Sequence, residues 1–187
     1  MSRPKYPHPV KLVASIIAGD TALMNRAIMR LSQALGNCDY ISSPIAFDYT
    51  DYYREEMGPA LKRRFVAFEH LIRAETLPDV KLFTNDLETE LAQGDNRTVN
   101  IDPGYLSEAH LILATGKAYT HRPYLRDGIY ADLTLIYRGG AFRSLAWTYP
   151  DYAGAVVRHV LTHIRQKYLL QLKRLREQSD SSTTNEV

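Results

Sequence analysis

Ile129 to Tyr137 restricts what this chain can fold into more than any other stretch. Ile129, Ala131, Leu133, Leu135 and Tyr137 fall on one side of an extended strand, and Tyr130, Asp132, Thr134 and Ile136 on the other. Asp127-Gly128 and Gly139-Gly140 bracket it, pairs that reach positive φ at little steric cost. The pattern predicts a three-stranded antiparallel meander over Tyr119–Arg126, Gly128–Arg138 and Ala141–Ala146. One face of it is apolar. The other is tyrosine-lined and partly polar, so it must meet water, a ligand or another element. Asn100, Asp102, His121, Arg122, Asp132 and Asp151 lie in or beside this region, which marks it as a candidate site.

The preceding chain reads as alternating strands and helices. Ser2 to Pro9 holds three prolines and forms an extended arm. Lys11–Ala18 is a buried strand, and Gly19-Asp20-Thr21 then caps a helix whose apolar positions recur from Leu23 to Leu35 before Gly36 stops it. Asp39–Asp48 is a second strand broken near Pro44, and Leu61–Leu71 a third. Thr76 caps a helix running to about Gln93, with Gly94 as its stop, and Arg97–Ile101 is a fourth strand. The order β-α-β-β-α-β predicts a ferredoxin-like half of an α+β fold, extended by the meander and a long C-terminal helix. Ser107–Thr115 is open between helix and buried strand; the serine and Gly116 favour helix. A last helix over Asp151–Gln178 carries the stripe Val157, Val160, Leu161, Ile164, Tyr168, Leu172 and Leu175. Residues 179–187 are polar and read as a disordered tail, and the whole of 1–187 reads as one domain.

Composition narrows the function classes. A net charge of +2 over 187 residues is too small to argue for nucleic acid or a membrane surface. One cysteine, Cys38, excludes an internal disulfide and a cysteine cluster, which points to the cytoplasm. No glycine-rich phosphate loop of either common form occurs.

Three constellations carry candidate chemistry. Asp48, Asp51, Asp102 and Asp151 supply the oxygen ligands that Mg²⁺ wants, although loop acids are more often solvated or paired with neighbouring cations. His121 and Arg122, with Lys117 nearby, suit an anion: arginine grips phosphate or carboxylate in a fork, and histidine moves a proton near neutral pH. Tyr105, Tyr124, Tyr130 and Tyr149 offer faces for stacking a base or sugar, though tyrosine is also simply a good strand residue.

The blocks FDYTDYYREEMGPALKRRFVAFE, KLFTNDLETEL, VNIDPGYL and ATGKAYTHRPYLRDGIYADLTLIYRGGAFRSLAWTYPDY resemble, from Lys11 to about Leu172, the prokaryotic family known as domain of unknown function 4416. The resemblance implies a cytosolic, single-domain protein and assigns no activity, so function rests on the residues. The leading expectation is a pocket for an anionic, nucleotide-like small molecule. In it Lys62, Arg64, His121 and Arg122 neutralise phosphate, Asn100 and the tyrosines orient the ligand, and Asp102 acts as general base or metal ligand. Asp102 and His121 would be the catalytic pair, and phosphoryl or nucleotidyl transfer the least surprising reaction. The alternative is a non-catalytic interaction protein, its tyrosine-rich face and basic last helix forming a homodimer or partner interface.

Overall fold

The chain begins with β1 (Val10–Ala18), α1 (Thr21–Leu35), β2 (Cys38–Ile41), β3 (Ile45–Ala46) and α2 (Arg54–Met57). It continues through β4 (Lys62–Ile72), α3 (Leu77–Glu90), β5 (Val99–Leu106) and β6 (His110–Thr115). It ends with β7 (Tyr124–Arg126), β8 (Ile129–Arg138), β9 (Ala141–Ser144), α4 (Pro150–Ala153) and α5 (Ala155–Thr184). These elements are those of a computed structural model, which describes residues 1–48 and 53–184. The fold is mixed α+β, built on one antiparallel sheet in the order β2-β4-β1-β5-β6-β8-β7, with β3 beside β4 and β9 beside β8.

β1 lies near the middle of the sheet, and every one of its residues is buried. Its even-numbered side chains, Leu12, Ala14, Ile16 and Ala18, pack with Met24, Ala27, Ile28 and Leu31 of α1, Val80 and Leu87 of α3 and Leu91 just after it. On the opposite face Val13 joins Phe65, Leu111, Leu113 and Leu135 under Val157, Val160, Leu161 and Ile164 of α5. A strand covered on both faces reads as a continuous apolar run, which is why Lys11–Ala18 is legible as buried.

Local chemistry sets the helix limits. The Asp20 side chain accepts from the Ala22 N–H at 2.9 Å, and Gly36, at φ 95°, ends α1 with its N–H on the Ser32 carbonyl. Thr76 does not cap α3; its hydroxyl donates to the Arg73 carbonyl inside a short 3-10 turn. Pro78 occupies the first turn, where its missing N–H costs nothing.

Several expectations are corrected. The stretch that favoured helix at Ser107–Thr115 is strand β6. Ser107 Oγ accepts from the His110 N–H at 2.9 Å, so the serine that resembled a helix cap closes the hairpin between β5 and β6 instead. The meander is present but its outer strands do not flank β8 symmetrically. β6 occupies one edge of β8, while β7 and β9 share the other, pairing with its beginning and its end. The final helix is broken at Gly154, whose extended backbone separates α4 from α5. α5 then runs on through Thr184, and Leu175 at the end of the stripe is exposed.

Polar ties fix α5 to the first strand. Lys11, fully buried, donates to Asp39 Oδ2 at 2.6 Å and to Gln171 Oε1 at 2.8 Å. Burial pushes the Lys11 ammonium below its ordinary pKa, and the Asp39 carboxylate opposes that shift. The Tyr168 hydroxyl donates to the Pro9 carbonyl at 2.9 Å. Among the described residues no helix is long and apolar enough to cross a membrane.

Candidate functional site

The sheet parts between β5 and β6. Their pairing runs from Leu106↔Leu111 to Gly104↔Leu113 and stops there. Beyond that rung β5 has no strand beside it on that edge among the described residues, and side chains from α3 satisfy its backbone at Ile101. The Ile101 N–H donates to Glu88 Oε1 at 2.5 Å, and the Ile101 carbonyl accepts from Lys81 Nζ at 3.1 Å. Two residues on, Pro103 presents the same edge with no N–H to satisfy. The parting opens a cavity of about 720 Å³, walled by α3, the ends of β5 and β6, Asp132 of β8 and the turn Tyr149–Tyr152.

Its wall is a network of paired charges. Arg97 donates to Asn100 Oδ1 at 2.9 Å and to Glu56 at 2.7 Å, and lies 3.6 Å from Glu88. Asn100 Nδ2 in turn donates to Asp102 Oδ2 at 2.7 Å, while Asp102 Oδ1 stands 3.8 Å from Lys81. Arg63 Nη1 meets Asp151 Oδ2 at 2.5 Å within a cage of Phe47, Phe65 and Tyr152 rings. Burial holds Tyr53, Tyr149 and Tyr152 above the ordinary phenol pKa, so all three are neutral hydroxyl donors at physiological pH.

The residues singled out from the sequence divide into groups. Asn100, Asp102, Lys117, Tyr149 and Asp151 meet at the cavity wall. Arg122 stands behind it, donating through Nε to Asp132 Oδ2 at 2.8 Å, through Nη1 to the Lys117 carbonyl and through Nη2 to the Tyr149 hydroxyl. His121 stacks on Trp147 at 5.0 Å and lies 3.4 Å from the same Asp132 oxygen. Arg122 is therefore committed to holding the rim, whereas the buried His121 Nε2 makes no hydrogen bond. Lys62 and Arg64 go elsewhere: strand alternation sends Arg63 into the cavity and its neighbours to the opposite face, where Arg64 reaches Asn25 at 3.1 Å. Tyr105 packs against Leu77, Ala114 and Ile129, and Tyr124 and Tyr130 form an edge-on pair, all outside the cavity.

Among the described residues the expected Mg²⁺ site is not assembled. Asp102 and Asp151 each face a cation, Asp48 is exposed and apart from the wall, and Asp51 lies outside the described residues. Among the described residues no group of three or more His, Cys, Asp or Glu is placed to hold a metal ion.

Lys81, Glu88, Arg63 and Arg97 are among the cavity residues that sequence reasoning missed, with Phe47 and Asn85. A signal did exist for the helix: Lys81, Asn85 and Glu88 recur at i, i+4 and i+7, a polar stripe beside the apolar one of Val80 and Leu87. Burial raises the Glu88 pKa above 4.5, opposed by Lys81, the Ile101 N–H and Arg97. The folded state therefore holds this proton more tightly than the unfolded chain. Relative to Glu88→Gln, the native protein is expected to lose stability as pH rises from 4.5 through the folded pKa, and to run parallel above it. Urea unfolding of both proteins from pH 4 to 8 measures the gap, and a gap that does not change with pH would contradict the assignment.

Comparison with known proteins now places the chain. The family described as Domain of unknown function (DUF4416) matches residues 8–168 of the 187. The chain belongs to this family. The matched span contains every DUF4416 residue named above at the cavity wall. No curated protein and no solved structure matches the chain.

Proposed function

We propose that this DUF4416 protein binds a small, polar, ring-bearing molecule of nucleoside-like character where β5 and β6 part. The ring would sit near Phe47, Tyr53 and Tyr149, with its polar groups toward Asn100 and Asp102. One observation carries the reading. The Asp102 side chain is 31% exposed, against 12% for Glu88, 9% for Asp151 and 3% for Asp132. It is the wall carboxylate most open to a ligand, and its contact with Lys81 is too long for a hydrogen bond. The anionic part of the expectation has less support, because Arg63, Lys81 and Arg97 already face carboxylates. A phosphate would have to displace those partners. For the fold, we infer a ferredoxin-like N-terminal half, supported by the order β2-β4-β1-β5 with α1 and α3 on one face.

A thermal-shift screen against nucleosides, nucleotides, sugars and sugar phosphates, run beside Asp102→Asn, tests the binding reading. A ligand at a hundredfold excess over its Kd stabilises the fold by about 2.7 kcal/mol, which such a screen resolves. The expected result is a shift by ring-bearing neutral compounds that is lost in the variant. A flat screen, or a shift that the variant retains, would reject it.

A further inference from the structure

Buried hydroxyls are nearly always hydrogen-bonded, so those that are not require an explanation. Two such hydroxyls adjoin Asp102. Ser15, 2% exposed, lies directly across the β1–β5 pair from Asp102, which puts both side chains on one sheet face with Cβ atoms about 5 Å apart. Tyr152, 3% exposed, lines the cavity and sets its ring edge-on to Phe65, the partner of Ser15 in β4. Its hydroxyl lies close to Ser15 and feels the Asp102 charge. The two hydroxyls lean toward each other without normal hydrogen-bond geometry, and neither Ser15 Oγ nor the Tyr152 hydroxyl has another partner.

The site thus offers two neutral hydroxyls beside an accepting carboxylate. Phosphate fits poorly, because Asp102 and Glu88 repel it. An ammonium group would suit Asp102 but would enter beside Lys81 and Arg63. Two adjacent hydroxyls suit every group present: each can donate to an Asp102 oxygen while accepting from Ser15 or Tyr152. We propose that Ser15, Tyr152 and Asp102 form a subsite for a vicinal diol, the group that ribose or a pyranose presents. This rests on the binding reading above and names the part of the ligand that the cavity floor reads.

Calorimetric titration of the full chain with matched probes tests it: adenosine and uridine, each against its dideoxy counterpart lacking the ribose diol. Native protein is expected to bind the diol probes about tenfold or more tightly over their counterparts, since buried polar groups would otherwise stay unpaired. Ser15→Ala and Tyr152→Phe should each remove most of that preference and leave the dideoxy probes unchanged. Their thermal midpoints should hold or rise, because neither variant loses a hydrogen bond. Equal binding of diol and dideoxy probes, or variants that keep the preference, would overturn the diol subsite while leaving ligand binding intact. If no probe of either kind binds, the binding reading falls and the subsite with it.

Discussion

Asp151→Ala is expected to cost the fold about 3–5 kcal/mol, the range seen when one partner of a buried ion pair is removed. Arg63 and Asp151 have side chains only 4% and 9% exposed. Without the carboxylate the buried guanidinium, a group that stays charged in proteins, is left without its anion. Water does not readily reach it either, because aromatic rings enclose it, with Phe47 4.6 Å and Tyr152 5.0 Å from the guanidinium carbon. Their cation–π contacts are common to both proteins and so do not change the difference. The double change Arg63→Met with Asp151→Leu should recover most of the stability, because the desolvation cost disappears along with the pair. Urea unfolding at neutral pH measures all three proteins. A single-variant loss below about 1 kcal/mol would mean that Arg63 is solvated, as a surface pair would be.

The second large effect concerns the rung at which the sheet parts. A Cβ on Gly104 would lie 2.4 Å from the Ile112 carbonyl oxygen and 2.7 Å from Leu113 Cδ2. The first contact is backbone, so no rotamer relieves it, and β5 and β6 must separate. Gly104→Ala is therefore expected to cost about 3 kcal/mol, the upper end of ordinary overpacking, and to lengthen the opening by a rung. Hydrogen exchange should speed up at the amides of β6 that pair with β5, more than in β1 or β4. Gly116→Ala is the matched control: nothing lies within 4 Å of its built Cβ. It should stay within about 0.5 kcal/mol of the native protein. Equal effects at the two glycines would remove the argument that Gly104 sets the close approach.

Particular residues show why some of this was legible beforehand and some was not. β8 alternates in its letters, but a register shift opposite Leu111 and Ile112 flips its phase. Ile129 packs with Ala114 while Leu135 and Tyr137 join Leu111 on the other face, so the single apolar face expected from Ile129 to Tyr137 is corrected. In β4, Phe65, Val66, Ala67 and Phe68 are all buried, on alternate faces. The run Lys62-Arg63-Arg64 therefore adjoins a segment with no readable phase, and the one arginine that enters the cavity cannot be told from its neighbours. β6 hides its type for the same reason, since Leu111 and Leu113 pack toward α5 while Ala114 and Ile112 face the other way. Asn100, Asp102 and Asp151 were visible as polar residues out of place. Lys81 and Glu88 were not, because an α3 side chain that completes a strand edge looks on paper like one facing water.

The ties between α5 and β1 bear on how the protein is made. Lys11 waits for Gln171, and the Pro9 carbonyl for Tyr168, partners 160 and 159 residues later in the chain. During synthesis the face carrying Val13, Phe65 and Leu111 stays wet until nearly the last helix has left the ribosome. The nascent sheet is thus at its most adhesive just before completion. A chain cut short before Val157 would leave that surface open for good, and its fate would be capture by chaperones or precipitation rather than a smaller stable fold.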